Sequence, residues 1–476
     1  MCIIKRMERL QLAVQYFEQN KFAEAEELAL AVFNFNSQSV EAIDVLAAIF
    51  LRTNNLNFLK DATINELDLI RKIAVFLQEL KTFEQAEFFF KKAIELYPVD
   101  SVAYSNLGLI YEEFNELKQA ENSYLSSIKI KKNYPALYNL GVLYRKINKL
   151  DKSIEILKEA LKINPDNNYA HYSLGMSYFK KKDFINGYPY FLRRPVQNAA
   201  ALKNFWYGQK EPQNTILVFC EYGLGDAIMF SRYFLFLKDY FKNVKVCCQT
   251  SLISIFQKAF PAIEFVESVE KVEYDFAVLA MDLPYFLKMD FGNIPNKEGY
   301  LKADFDKVKV FEMEYFKEDV LTVGIFYSGG ELEKRNAKHR AIPLKKMQKL
   351  FKIPNIKVYS FQKEDRFSEL KDFPEIVDLG KEFSDFSDTA AAMQNLDVMI
   401  TIDSAPVHLA GALGVKTFLM LPYFYEWRWF EDVKTTAWYE SVEIFKQSQP
   451  DCWDNVIDEI CEKLVLLQKN KACNHS

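Results

Sequence analysis

The 476-residue sequence predicts an α + α/β fold in which an N-terminal α-solenoid precedes two α/β domains with parallel sheets. Two observations support this division. A pattern of 33 or 34 residues recurs in the first part, and from about residue 214 short apolar runs alternate with helical stretches. We expect a solenoid over residues 1–195, a linker over 196–213, a first α/β domain over 214–310 and a second, ending in a helix, over 311–476.

The recurring pattern is a Leu-Gly pair followed by a tyrosine. It occurs at Leu107-Gly108 with Tyr111, at Leu140-Gly141 with Tyr144, and at Leu174-Gly175 with Tyr178. Ala86, Ala120 and Ser153 hold a small-residue place in the second helix of each unit. The pattern resembles the tetratricopeptide repeat, in which small residues lie where two helices cross. The resemblance implies a surface for a protein partner; a dimerisation or spacer element and a generic helical bundle are the alternatives.

Composition narrows the class of protein. Half of the residues are hydrophobic, and the formal net charge of −5 disfavours a nonspecific nucleic-acid binder. The seven cysteines have neither metal-ligand spacing nor the density of a disulfide framework, so we expect no metal and a cytoplasmic location. The charged start does not resemble a secretory signal, and no apolar run reaches the roughly 18 residues of a membrane span.

Apolar runs rich in β-branched residues predict the strands of both α/β domains. They are residues 215–220, 244–248 and 275–280 in the first domain, and 321–327, 357–361, 398–402 and 416–420 in the second. Helical stretches such as 228–241 and 252–260 separate them, as in a doubly wound parallel sheet. We expect a cleft between the domains, a connecting passage over about 284–319, and a last helix over about 454–467 that packs back across the first domain.

The stretch from Asp403 to Gly414 directly follows a predicted buried strand and has the pattern of a helix start. Ser404 can cap that helix and Pro406 suits its first turn, so the free N–H groups there can hold an anion. The candidate binding residues are Asp403, Ser404, Ala405, Pro406, Val407 and His408. His408 either donates to a phosphate or sugar hydroxyl or is a structural hydrogen-bonding residue.

A second carboxylate follows the first predicted strand of the α/β part. Gly223 and Gly225 allow a sharp turn there, and Asp226 then begins a helix. The side chain of Asp226 would face the crevice in which open α/β sheets bind ligands. The alternative is that Asp226 only caps its helix.

Further candidates lie in the second α/β domain. Lys338 and Arg340 belong to a basic loop that could neutralise a departing diphosphate, or that is simply solvated. Asp388 lies at a helix start, where a capping role is the alternative. Trp427 and Arg428 could stack on a base or wall the cleft; packing against the repeat region is the alternative.

Taken in order, these blocks resemble the heptosyltransferase-like glycosyltransferases of family nine, in particular bacterial proteins that carry tetratricopeptide repeats in front of that module. The blocks are Trp206 with Gly208, Glu221 to Asp226 with Phe230, Arg232 and Tyr233, Gly324 to Gly329, Arg340 to Leu344, Asp385 to Ala391, Asp403 to Gly414, Trp427-Arg428-Trp429 and Trp438-Tyr439. The resemblance implies a GT-B arrangement, in which two Rossmann-like domains face each other and the C-terminal one holds a nucleotide sugar. It implies neither a metal nor a cofactor besides that co-substrate.

The resemblance also implies an inverting transfer in which Asp226 takes a proton from the acceptor hydroxyl. The helix start at Asp403 to His408 would receive the donor diphosphate, Lys338 or Arg340 would stabilise the leaving group, and the block containing Ser328 and Gly329 would lie on the donor side. Tyr222 stands where relatives often carry Gln, and Phe326-Tyr327-Ser328-Gly329-Gly330 replaces their usual Trp-Ser-Gly-Asn-Pro run, which leaves the donor identity and the acceptor contacts open. A protein or a glycan acceptor fits, and an inactive repeat scaffold that mediates protein–protein interaction is the alternative function.

Overall fold

The computed structural model describes residues 2–36, 38–55, 66–196, 199–329, 340–363, 367–430 and 434–474. The chain divides into two compact units, Met1–Ala170 and His171–Ser476. Among the helices within these ranges, none is both long and apolar enough to cross a membrane.

The first unit is helical, and each helix packs against its neighbours in the chain. The bounds of its helices are α1 Cys2–Glu18, α2 Phe22–Phe35, α3 Val40–Thr53, α4 Glu66–Glu79, α5 Phe83–Leu96, α6 Ser101–Glu113, α7 Leu117–Ile130, α8 Tyr134–Lys146 and α9 Leu150–Ile163. Helix α10, Asn168–Lys180, begins at the end of this unit.

The sequence repeat reappears in the backbone of the first unit. Lys81, Asn115 and Asn148, each two residues beyond the end of α4, α6 or α8, have left-handed φ angles of 61°, 58° and 58°. A Cβ on Gly141 would lie 2.6 Å from Cγ of Leu157, so α8 and α9 can approach this closely only with a glycine there. The predicted helical repeat, with small residues where paired helices cross, is confirmed.

The second unit contains two parallel sheets. Its elements up to the first sheet's end are α11 Phe184–Phe191, β1 Glu211–Phe219, α12 Leu224–Ser231, β2 Phe241–Cys247, α13 Thr250–Ala259, β3 Glu264–Val266, β4 Phe276–Leu279 and α14 Leu283–Phe286. The remaining elements are α15 Phe305–Tyr315, β5 Leu321–Phe326, α16 Gln348–Phe351, β6 Ile356–Ser360, α17 Phe367–Leu370, β7 Val377–Asp378, α18 Phe386–Met393, β8 Val398–Ile402, α19 Ala405–Ala412, β9 Thr417–Leu421, β10 Val442–Lys446 and α20 Asp454–Asn474.

In both sheets the strand that comes first in the chain lies inside the sheet, and later strands are added on both sides of it. The four-stranded sheet has the order β3-β2-β1-β4, and the six-stranded sheet has the order β10-β9-β8-β5-β6-β7. Ile216 of β1 pairs with Val244 of β2 and with Phe276 of β4, and Val323 of β5 pairs with Val398 of β8. This arrangement creates a switch point between β1 and β4 in the first sheet and between β5 and β8 in the second. Open α/β sheets bind ligands beyond the carboxyl ends of the strands at such points.

Aromatic residues join α10 and α11 to the α/β part. Phe179, Phe184 and Phe191 are buried in one cluster with Trp427 and Trp438. Burial of this much aromatic surface makes the last helix pair part of the second unit.

Several local predictions need correction. The helix predicted over 228–241 ends at Ser231, and a 3-10 turn over Phe234–Asp239 leads straight into β2. The short edge strands β3, β7 and β10 were not predicted. The last helix does not pack across the first sheet, because its apolar side chains, among them Val456, Ile460 and Leu464, cover strands of the six-stranded sheet. The predicted domain limits stay predictions. The limit at residue 310 falls inside α15, a helix that packs on α18.

Candidate functional site

The candidate site lies where the switch points of the two sheets meet. Asp226 follows β1, Asp403 follows β8, and Arg428 follows β9. All three positions lie beyond carboxyl ends of parallel strands. The fold therefore brings residues that are up to about two hundred positions apart in sequence to one place.

An ion pair between Asp226 and Arg428 bridges the two sheets. Nε of Arg428 donates to Oδ1 of Asp226 at 2.9 Å, and its Nη2 donates to the same oxygen. The Oδ2 atom of Asp226 has no hydrogen-bond partner within the described part of the chain. The side chains of Asp226 and Arg428 are 13% and 16% exposed, so both can be reached from solvent.

Negative charge surrounds Arg428 on more than one side. Burial by itself would lower the pKa of Arg428, but Asp226, Glu426 and Asp403 raise it above its usual range. The guanidinium of Arg428 lies 5.0 Å from the ring centroid of Trp427. The backbone carbonyl of Arg428 accepts a hydrogen bond from Nε1 of Trp438 at 2.8 Å. Arg428 is thus a permanently charged group on an anchored backbone.

The start of α19 packs directly against the start of α12. A Cβ on Gly225 would lie 2.7 Å from Cδ2 of His408 and 3.4 Å from Cα of Ala405. Glycine at position 225 therefore permits the contact between the two helices. Ser404 does not cap α19 with its side chain; its hydroxyl instead donates to the carbonyl of Ile402 at 3.3 Å.

His408 is a buried, neutral residue. Its ring stacks on Trp429 with centroids 5.4 Å apart, and Nδ1 lies 3.0 Å from the hydroxyl of Tyr439. Burial, with a further contribution from Arg428 and Arg232, holds the pKa of His408 well below its usual range. Any hydrogen bond from His408 to a ligand would therefore come from a neutral imidazole. Pro406 and Val407, on the same turn, are also buried.

Asp403 is a buried residue directly before α19. Burial raises the pKa of Asp403 against the opposing effect of Arg340 and Arg428. Nη1 of Arg340 donates to the backbone carbonyl of Asp403 at 2.8 Å and lies 3.9 Å from Oδ2. Arg340, predicted as a leaving-group cation, is thus next to the helix start, and Lys338 lies outside the described residues.

Other predicted site residues have structural partners. The amide N–H of Ser328 donates to Oε1 of Gln362 at 3.1 Å, and Nε2 of Gln362 donates back to the Ser328 carbonyl, which fixes the turn before Gly329. Nζ of Lys307 donates to Asp388 at 2.6 Å, so Asp388 joins α15 to α18. Trp427 packs on Phe179 with ring centroids 5.1 Å apart.

A buried ionic cluster, which the sequence did not reveal, holds the loop before Asp226. Arg194 donates to Asp282 at 2.6 Å and to Glu221 at 2.5 Å, while Glu221 also accepts the backbone N–H of Ala280 at 3.0 Å. Burial raises the pKa of Glu221 to about 7, opposed by Arg194 and reinforced by Asp282. Arg193 is exposed and Arg194 is buried, and no local sequence signal distinguishes the two.

Left-handed backbone flanks the site on both sides. Tyr222 has φ 66° and Phe430 has φ 54°, conformations that are costly for residues other than glycine. Such outliers concentrate at ligand sites, where the surrounding structure enforces them. Within the described ranges, no group of three or more His, Cys, Asp or Glu side chains is arranged to hold a metal ion.

Comparison with protein families identifies the repeats. Tetratricopeptide repeat models match residues 72–100 and 89–122, and a TPR repeat model matches residues 141–182. These stretches contain helices α5, α6, α9 and α10 in full. The N-terminal helical region therefore carries tetratricopeptide repeats, and the matched stretches end before the first sheet.

Comparisons over longer stretches give weaker likenesses. Protein FlbA of Caulobacter vibrioides is 22% identical over 295 residues, which cover 54% of this chain and 48% of FlbA. The chain thus spans about half the length of this curated relative. Among solved structures, MamA 41-end from Desulfovibrio magneticus RS-1 is 18% identical, with 39% of this chain and 92% of that chain covered and a TM-score of 0.27. The MamA RS-1 ArsTM double mutant is 22% identical, with 32% and 89% covered and a TM-score of 0.27. Scores this low carry no argument about function.

Proposed function

We propose that the second unit is an inverting glycosyltransferase that moves a sugar from a nucleotide sugar to an acceptor presented by the repeats. One observation carries the proposal. A carboxylate at the switch point of one parallel sheet, Asp226, pairs with Arg428, and its helix packs on the start of α19 at the switch point of a second parallel sheet. Two such sheets with facing ligand edges suit a substrate that has two parts, a nucleotide and a sugar.

Asp226 is the proposed general base. The free Oδ2 atom takes the proton of an acceptor hydroxyl, whose oxygen forms a bond to the anomeric carbon. The bond from that carbon to the diphosphate oxygen breaks at the same time, and the nucleoside diphosphate leaves with the electron pair. Attack opposite the leaving group inverts the configuration at the anomeric carbon.

Positive charge for the leaving diphosphate comes from Arg428 and Arg340 together with the N-terminal end of α19. Arginine binds phosphate through two parallel N–H donors, and the aligned peptide dipoles of α19 favour an anion at its start. His408 adds no charge, because it is neutral. The two arginines, rather than the histidine, therefore supply the fixed charge in this proposal.

The repeats are proposed to recruit a polypeptide acceptor. Tetratricopeptide repeats stack into extended surfaces that bind protein segments. A transferase attached to such a surface would act on hydroxyl groups of proteins that the repeats hold. A glycan acceptor is the alternative within the same reaction.

Release of nucleoside diphosphate from a panel of nucleotide sugars tests the activity. The full chain is expected to release the diphosphate of at least one donor, and Asp226→Asn is expected to reduce that rate by about a hundredfold or more. Asp458→Asn is a matched control, because Asp458 pairs with Lys349 at 2.6 Å on an exposed face of α20. If no donor binds and none is turned over, the protein is a repeat scaffold and the transferase proposal is wrong.

A further inference from the structure

In the observed arrangement the proposed base is already engaged. Both described donors from Arg428 converge on Oδ1 of Asp226, so the carboxylate is held by a cation. The same guanidinium is, with that of Arg340, one of the two fixed positive charges that the proposed function assigns to the diphosphate. One residue is therefore bound to the base while it is also needed by the leaving group.

We propose that Arg428 is a latch on Asp226 that the donor diphosphate opens. In this inference, which rests on the proposed function, the guanidinium leaves Asp226 when a diphosphate enters beside Asp403 and the start of α19. The diphosphate takes over the paired N–H donors of Arg428. Oδ1 of Asp226 is then released from Arg428 only in the complex with donor, so the whole carboxylate faces the acceptor after the donor has bound.

The contacts around Arg428 allow this movement of its side chain. The backbone carbonyl of Arg428 is fixed by the indole N–H of Trp438 at 2.8 Å, whereas the guanidinium has no hydrogen bond to any described side chain other than Asp226. The guanidinium also lies over the face of Trp427 at 5.0 Å. Only side-chain torsions must change for the latch to open.

Electrostatics favours the exchange of partners. Asp226 contributes one negative charge to the pair, whereas a diphosphate offers more charge and several oxygens in the geometry that guanidinium groups bind in pairs. The attraction between Arg428 and Asp226 must be broken, so Asp226 competes with the diphosphate for the same cation. Removal of this competitor should strengthen diphosphate binding, and should do so only while Arg428 is present.

A double-mutant cycle on nucleoside diphosphate affinity tests the latch. Calorimetry would measure the Kd of UDP, ADP, GDP and CDP for the full chain, for Asp226→Asn, for Arg428→Gln and for the double variant. Asp226→Asn is expected to tighten binding about tenfold, and Arg428→Gln is expected to weaken it about tenfold or more. In the Arg428→Gln background, Asp226→Asn is expected to change the Kd by clearly less than in the parent chain. Asp458→Asn again serves as the control for a change of net charge.

The outcomes separate the latch from simpler explanations. Equal tightening by Asp226→Asn in both backgrounds would mean plain charge repulsion and would overturn the latch, as would weaker binding by Asp226→Asn. If Arg428→Gln does not fold, Arg428→Lys provides the background, because lysine keeps the charge but not the paired donors. Absence of binding of all four nucleoside diphosphates to both the parent chain and Asp226→Asn would overturn the proposed function together with the latch. Binding without coupling would overturn the latch alone.

Discussion

The ring of Phe179 lies 5.1 Å from the ring of Trp427, so α10 shares a core with the segment that carries Arg428. We expect a chain that starts at Asn167 to fold, since it keeps α10 and the cap that Asn167 provides for Ala170 at 2.9 Å. A chain that starts at Val196 is expected not to fold. It loses Phe179, Phe184 and Phe191, and loss of one such aromatic side chain costs about 3–5 kcal/mol, against a total stability of about 5–15 kcal/mol.

Tryptophan fluorescence during urea denaturation can measure both truncations. All five tryptophans lie in the second unit, so their emission reports on that unit alone. A chain from Val196 with the emission and midpoint of the full chain would show that α10 and α11 are dispensable for the α/β part.

The sequence was sufficient to predict the kinds of element and the strand ends that carry candidate residues. Apolar runs marked β1, β5, β8 and β9 because central strands of parallel sheets are buried on both faces. The edge strands β3, β7 and β10 were missed because a strand of two to five residues, with positions that are only partly buried, has no distinctive periodicity.

The pairing of residues at the site could not be predicted in the same way. Asp226 and Arg428 are 202 positions apart, and tertiary packing, including that of α12 on α19, brings them together. Gln362 and Lys307 lie outside the motifs, so the partners of Ser328 and Asp388 could not be identified from the sequence. Local patterns indicate where a side chain sits on its own element, but the partner is determined by the tertiary fold.

Acidification is expected to destabilise the second unit through His408. The pKa of His408 in the folded chain lies well below 6.5, so below pH 6.5 the unfolded chain binds a proton that the folded chain does not. The contribution of neutral His408 to the unfolding free energy is fully present above pH 6.5. Below that pH the unfolding free energy falls by up to about 1.4 kcal/mol per pH unit. We expect the difference in unfolding free energy between His408→Phe and the parent chain, followed by tryptophan fluorescence, to grow in favour of the variant from pH 7 to pH 5. A difference that is constant with pH would show that His408 titrates normally in the folded state.

Glu221 is expected to produce the opposite pH dependence. Burial raises the pKa of Glu221 from 4.5 to about 7, so between these values the folded chain keeps a proton that the unfolded chain releases. The stability contributed by this proton is present below pH 4.5 and is lost as the pH rises towards 7. Glu221→Gln removes the titration. We therefore expect the unfolding free energy of the parent chain to decrease relative to Glu221→Gln across this range and to run parallel to it above pH 7.5, as measured by urea titrations. Parallel curves throughout would show that Arg194 keeps Glu221 ionised.

Gly225→Ala is expected to destabilise the second unit although alanine favours helices. In an exposed helix this change would stabilise by about 1 kcal/mol. Here the new Cβ would lie 2.7 Å from the buried ring of His408, which Trp429 and Tyr439 hold in place, so the two helices must separate. Forced overpacking of this kind costs about 1–3 kcal/mol.

Gly223→Ala is the matched control, because its Cβ would meet nothing closer than Oδ2 of Asp226 at 4.0 Å. We expect the control to change the unfolding free energy by less than about 1 kcal/mol. Comparable effects of the two substitutions would mean that the contact between α12 and α19 does not depend on the missing side chain at position 225.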